Sequence, residues 1–187
     1  MRDKGAHIPP GWDYNPATWA QRIPIIILAI VGFGIAAYLS LYQLEYVDTV
    51  WEPFFGDGST TILNSKISHI LPIPDAALGA IGYLVDAVAG LIGGTHRWRK
   101  MPWIVIVFGL AVGPLGFVSV MLVVFQPVLF SAWCSLCLAS AIISIVMIGP
   151  AMDEMLASLQ YIQRAKKSGA STWKVFWGIG DETEKVA

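Results

Sequence analysis

Between Met101 and Met152 lie 52 consecutive residues without an Asp, Glu, Lys or Arg, and no other feature of the chain limits its fold so strongly. A bilayer core of about 30 Å is crossed by roughly 20 apolar residues in a helix, so this run is too long for one crossing and suits two. Gln126-Pro127, near its middle, marks the expected tight turn. Ile23 to Leu44 is also free of charge, and Ala76 to Thr95 is broken only by Asp86. The pattern predicts an all-α, integral-membrane four-helix bundle. Its spans lie near 23–43, 76–94, 102–125 and 127–150, with a long outer loop between spans one and two. Charged residues make up 13% of the chain, against about 25% in soluble domains, which disfavours both disorder and a soluble enzyme. A net charge of -1 leaves no basic footprint for nucleic acid.

Orientation follows from the bias of Lys and Arg toward the cytoplasmic side. Eleven of the 12 basic residues fall in the N-terminal segment, the second connection and the C-terminal tail, which share one side of a four-span topology. The first connection, Glu45 to Asp75, carries Lys66 alone beside five acids. Both termini are therefore expected in the cytoplasm. Trp12, Trp19, Trp98, Trp103, Trp173 and Trp177 sit at or beyond cytoplasmic span ends, where indoles prefer the headgroup level. A polar leader of 22 residues before span one argues for a retained anchor, not a signal peptide.

Three segments result: an irregular arm over 1–22, a membrane domain over 23–151 and a tail over 152–187. In the tail, Met152, Met155, Leu156, Leu159 and Ile162 recur at helical spacing, with Asp153, Glu154, Arg164 and Lys166 on other faces. This predicts an amphipathic helix leaving the membrane, followed by an interfacial stretch around Trp173, Phe176 and Trp177. In the outer loop, Trp51, Phe54 and Phe55 stand beside turn residues. Ser59 is the expected N-cap of a segment with Ile62, Leu63, Ile67, Ile70 and Leu71 on one face. That face suits a lid over the bundle mouth or a helix resting on headgroups.

Cys134 and Cys137 are the only cysteines and form Cys-Ser-Leu-Cys. Counted from Pro127, they are expected roughly 10 to 15 Å along span four, in its outer half. A CxxC on a helix sets two sulfurs on one face, the arrangement of exchangeable redox pairs, and the outer compartment is oxidising. The bland alternative is two small apolar residues used for packing. Tetrahedral zinc wants four ligands and His69 is the one histidine on that side, so no metal is expected. A dithiol gives up two electrons and two protons, and a membrane-embedded pair needs a lipid-soluble acceptor of both. Quinones have that chemistry.

Four spans, a long loop after the first, Pro then Gly79-x-x-x-Tyr83 opening the second, and Cys134-x-x-Cys137 on the fourth resemble the vitamin K epoxide reductase family over roughly residues 23–150. The resemblance implies a bacterial-type membrane oxidoreductase with a quinone pocket inside the bundle. It assigns Cys137 to the quinone and Cys134 to disulfide exchange with a thioredoxin-like protein or small thiol of the outer compartment. Asp75, Trp133, Phe54 and Phe55 are the expected quinone-binding residues, with Ser65 and Tyr83 in support.

The chain departs from the family pattern in several places. The two loop cysteines that relay electrons in typical members are absent, Ser59 standing in place of the second, and the thioredoxin-like domain fused to many bacterial members is not expected. Ala141 replaces a Tyr one turn after the CxxC, and Asp75 falls where vertebrate members carry Asn. Asp75 reads either as a hydrogen-bonding partner of a quinone oxygen or as an interfacial helix-start acid. Asp86, in mid-span, is a functional candidate by its cost alone, set against a structural role; proton conduction and a bond to Ser119 or Ser140 are its candidate uses, and its depth below the quinone level argues against direct chemistry. Gly113, Pro114 and Gly116 read as a close-packing site. The rival to an oxidoreductase is a bundle that lost turnover and binds a lipid or protein; a third reading is electron delivery to a membrane partner enzyme.

Overall fold

The protein is described by a computed structural model covering residues 8–65, 68 and 72–179. Among the described residues all regular structure is helical: α1 (Trp19–Gln43), α2 (Gly58–Leu63), α3 (Asp75–Leu91), α4 (Arg97–Lys100), α5 (Pro102–Phe130), α6 (Ser135–Lys167) and α7 (Thr172–Trp177). Helices α1, α5 and α6 are long and apolar enough to cross a membrane. Their outward faces carry exposed Ile27, Ile30, Leu110, Phe117 and Ile142. So much contiguous apolar surface suits lipid and not water. Helix α3, 17 residues long, lies along α1, and α5 lies along α6; contacts of α1 with α6 and α3 with α5 join the pairs.

Small residues set the spacing between helices, as in membrane helix packing generally. Ala29, Ala36, Ala80, Ala87 and Ala151 are buried around Tyr83, Phe108 and Met147. Gly116 of α5 faces Ile148 of α6, where a Cβ would come within 2.5 Å of it. The Gly113 to Gly116 stretch is indeed a close-packing site.

The structure moves one boundary. Helix α5 runs through Gln126 and Pro127 to Phe130, and the break falls at 131–134. A proline withholds one hydrogen bond, but a helix supported by neighbours continues past it; α5 contains Pro114 as well. The chain turns instead at Ser131, which adopts the left-handed conformation with φ of 50°.

The tail differs too. Helix α6 is continuous through 152, so no separate amphipathic helix begins there. Its buried face over this stretch is Glu154, Ala157, Ser158, Tyr161 and Ala165, while Leu156 and Leu159 are exposed. On this face the Glu154 carboxylate forms a buried ion pair with Arg97, and Ala157, Tyr161 and Ala165 pack with Trp98, Ala17 and Val175, so packing against the N-terminal arm, α4 and α7 turns it inward. Residues 8–18 lie across this end, with Trp12 Nε1 donating to Gln160 (2.9 Å) and Tyr14 to Asp153 (2.6 Å).

Arg22 and Arg97, counted in the sequence as solvent-side charges, are each 1% exposed. Both are spent on the C-terminal end of α3. Arg22 donates to the carbonyls of Gly90 (2.9 Å), Ile92 (2.9 Å) and Gly93 (2.8 Å). Arg97 donates to those of Ala89 (2.6 Å) and Ile92 (3.0 Å) and to Glu154. A helix ends with unpaired carbonyls and partial negative charge, and two guanidiniums answer both.

Candidate functional site

The break between α5 and α6 builds the sulfur pair. Cys134 is the N-cap of α6, in extended conformation, and its Sγ accepts from the backbone N–H of Cys137 at 3.1 Å. The pair therefore sits at the very start of α6 and not 10 to 15 Å along a span. The cause is the shifted turn, since the helix begins eight residues later than Pro127 suggested. Cys134 and Cys137 form a disulfide with Cα atoms 5.2 Å apart. A helix N-terminus presents free N–H groups and partial positive charge, the setting that redox-active CxxC motifs use to stabilise a sulfur anion. Cys134 is completely buried, whereas Cys137 is half-buried.

Two groups from elsewhere lock this turn, and the sequence reading passed over both. The Oε1 of Gln126, on α5, accepts from the backbone N–H of Cys134 at 3.1 Å. The carboxylate of Glu52, from the segment between α1 and α2, accepts from the backbone N–H of Ser135 at 2.9 Å and from the hydroxyls of Ser135 and Ser59. It also accepts from the N–H groups of Phe54 (3.2 Å) and Phe55 (3.3 Å). Burial pushes the Glu52 carboxyl up, but these hydrogen bonds outweigh it and bring it down to about 2. An ionised acid thus faces the first N–H of α6. Sequence reasoning used Glu52 only as a loop acid and Gln126 only as a turn residue. No local signal in the sequence pairs either residue with the turn.

Helix α2 begins at Gly58 with Asp57 as N-cap, so Ser59 is not the cap; it is buried within the first turn and donates to Glu52. Gly58 rests directly on the carbonyl of Trp133, where any Cβ would collide. Ile62 and Leu63 are buried as expected; Ile67, Ile70, Leu71 and His69 lie outside the described residues.

Beside the disulfide is a cavity of about 550 Å³ bounded by α1, α3, α5 and the start of α6. It brings together Asp75, Tyr83 and Cys137 with Gln126, Ser119 and Ser140, in a wall otherwise made of residues such as Leu39, Leu78, Leu115 and Val118. Asp75 opens α3, where it accepts from Gln43 Nε2 at 2.6 Å and from the N–H of Ala76 at 2.9 Å. Tyr83 is 1% exposed. Its hydroxyl donates to the carbonyl of Ser140 (2.7 Å) and pairs with Ser144 Oγ (2.6 Å). Gly32 makes room for it, since a Cβ there would come within 2.6 Å of the Tyr83 ring.

Besides Cys134, four expected site residues, Phe54, Phe55, Trp133 and Ser65, do not line this cavity. Phe55 packs against Trp133 (ring centroids 6.3 Å apart) and Phe54 against Phe55 (6.4 Å). This aromatic group lies over the turn that carries the cysteines, and Phe54 is 80% exposed. Ser65 pairs with Ser68, their hydroxyls 3.3 Å apart. Asp86 is fully buried, and among the described residues neither carboxylate oxygen has a hydrogen-bond partner. The expected bond to Ser119 or Ser140 is not formed, because Ser119 donates to the Leu115 carbonyl at 2.8 Å and Ser140 is taken by Tyr83.

The site thus combines a disulfide at a helix N-terminus, one of its cysteines in the wall of a mostly apolar cavity, and a second segment clasped to the backbone on either side of the other. Residues 23–151, well over half of the chain, match the family model described as the vitamin K epoxide reductase family.

Proposed function

The chain belongs to the vitamin K epoxide reductase family, and from that premise we propose that it exchanges electrons between the Cys134/Cys137 pair and a quinone held in the cavity. The family carries a membrane redox function, and the CxxC pair is present at disulfide distance. The observation that carries the finer reading is the place of Cys137, in the wall of an apolar cavity among membrane-type helices. The cavity volume of about 550 Å³ falls within the roughly 300 to 1,000 Å³ of small-ligand sites, and its mostly apolar wall suits a flat ring with few polar atoms.

Asp75, Tyr83 and Cys137 would border the ring, with Phe54, Phe55 and Trp133 over the sulfur turn at the cavity's end. A quinone supplies a two-electron, two-proton acceptor. In the reduced protein the two thiols together release two electrons and two protons as the Cys134–Cys137 bond forms, so the exchange balances with no further reactant. Regeneration is attack by an external thiol, from a thioredoxin-like protein or a small thiol, on Cys134. The mixed disulfide is then resolved by the second thiol of a dithiol donor or by a second molecule of a small monothiol, which leaves as its disulfide. Since Cys134 is buried, this attack requires the segment bearing Glu52 and α2 to lift from the turn. Run backwards, the same steps oxidise quinol.

The proposed topology has four spans with both termini on the cytoplasmic face of a bacterial cell membrane. Helix α3, at 17 residues, is about 26 Å long by its rise and lies at the short end of the spanning range of about 17 to 25 residues.

The test is differential alkylation of dithiol-reduced membranes before and after adding a naphthoquinone or benzoquinone. Expected is loss of two free thiols on quinone addition, abolished by Cys137→Ser. Thiols that stay free with every quinone tried would overturn the reading. They would favour the rival, a non-catalytic bundle that binds a lipid or protein. That rival draws on one observation: the buried Cys134 has no other cysteine in the chain to reach it.

A further inference from the structure

Gln126 is 2% exposed, lines the cavity, and sits in α5 opposite the start of α6. Its amide cannot be turned round, because the backbone N–H of Cys134, 3.1 Å away, requires an acceptor and therefore the oxygen. The amide nitrogen, with two N–H donors, makes no hydrogen bond among the described residues. The other side-chain hydroxyls lining the cavity are committed. The Tyr83 hydroxyl donates to the Ser140 carbonyl and the Ser119 hydroxyl to the Leu115 carbonyl. The Ser140 hydroxyl is engaged with Tyr83, and Asp75 accepts from Gln43 and Ala76. An amide donor in a mostly apolar cavity wall with no protein acceptor gains a hydrogen bond from any occupant that offers an acceptor oxygen.

We propose that Gln126 is the binding residue for the ring carbonyl: its Nε2 donates to one carbonyl oxygen of a quinone while its Oε1 holds the Cys134 backbone. This rests on the quinone reading above and adds to it the group that orients the ring. One side chain then spans the ligand and the sulfur turn. The occupant is selected as an apolar ring bearing an acceptor oxygen; the parent hydrocarbon, lacking that oxygen, gains nothing from Gln126.

The experiment measures binding of 2-methyl-1,4-naphthoquinone and of 2-methylnaphthalene to the full-length, disulfide-oxidised protein in nanodiscs. The infrared carbonyl stretch of the ¹³C-labelled quinone is recorded alongside. Gln126→Glu keeps an acceptor for Cys134 and removes the donors; Gln126→Met, of similar length, serves if the acidic variant does not fold. The quinone is expected to bind about tenfold more weakly to either variant, the scale of one hydrogen bond. Affinity for 2-methylnaphthalene stays unchanged, and the downshifted carbonyl band of the parent complex disappears. An equal loss for both ligands, or an unaltered quinone affinity and band, overturns the inference. If that happens while quinone still consumes the thiols of the reduced parent protein, only the role of Gln126 falls. If the parent protein neither binds quinone nor reacts with it, the oxidoreductase reading falls too.

Discussion

The two ends of the helical body solve the same problem with opposite charges. At one end the positive N-terminus of α6 receives Glu52; at the other the negative C-terminus of α3 receives Arg22 and Arg97. Both follow the rule that a helix end is steadied by a charge opposite to its dipole. They differ in what surrounds the charge. Each arginine is 1% exposed and Arg97 is further held by Glu154. Glu52 is half-buried and belongs to a stretch whose neighbours Trp51 and Phe54 are 66% and 80% exposed. The contrast separates a charge locked in the interior from one held at the surface, and the sulfurs lie at the second.

The strongest attack on this contrast is Glu154→Ala, which leaves the Arg97 guanidinium buried without its partner. Losing one member of a buried pair costs about 3 to 5 kcal/mol. Thermal unfolding in detergent should therefore show a large drop, with the alkylation rate of the reduced cysteines in the surviving folded fraction unchanged. A variant as stable as the parent, or one with altered thiol reactivity, would erase the distinction between the ends.

Glu52→Gln should act the other way, with a smaller stability loss of about 1 to 2 kcal/mol and faster reduction of the disulfide by a small dithiol. The pH dependence has a fixed sign. The folded carboxyl is lowered from 4.5 to about 2, so its stabilising contribution is complete above about 4.5 and fades as pH falls toward 2. The gap in stability between parent and Glu52→Gln should hold steady from neutral pH down to that point and then close. A gap that widens in acid would contradict the assignment.

Tyr83→Phe, between the ends, sharpens the comparison most gently. It removes one buried hydroxyl bonded to Ser140 and Ser144, worth about 0.5 to 1.5 kcal/mol. Unfolding should shift slightly, without the thiol phenotype of Glu52→Gln.

How much of this was legible depends on whether the signal was local. The first expected span, 23–43, meets α1 at Trp19–Gln43, because a charge-free stretch marks a membrane-length helix directly; 76–94, broken by Asp86, meets the shorter α3 at Asp75–Leu91, which is a helix but not one of the three long and apolar enough to cross. The boundary inside the long apolar run was not legible. Pro127 looks like a stop, whereas the chain turns at Ser131, whose left-handed backbone has no Gly or Asn to announce it. The sulfur pair was visible as a motif, but its place at the helix N-terminus followed from that hidden turn. Glu52, Gln126, Arg22, Arg97 and Glu154 were all in view as residue types. Their partners are other segments, so neither charge counting nor helical periodicity could pair them.

The carboxylate of Glu52 grips Ser59 on one side and Ser135, between the two cysteines, on the other. Residues 52–59 are therefore tied through one carboxylate to the backbone that separates the sulfurs, and a displacement of this segment would strip hydrogen bonds from that backbone.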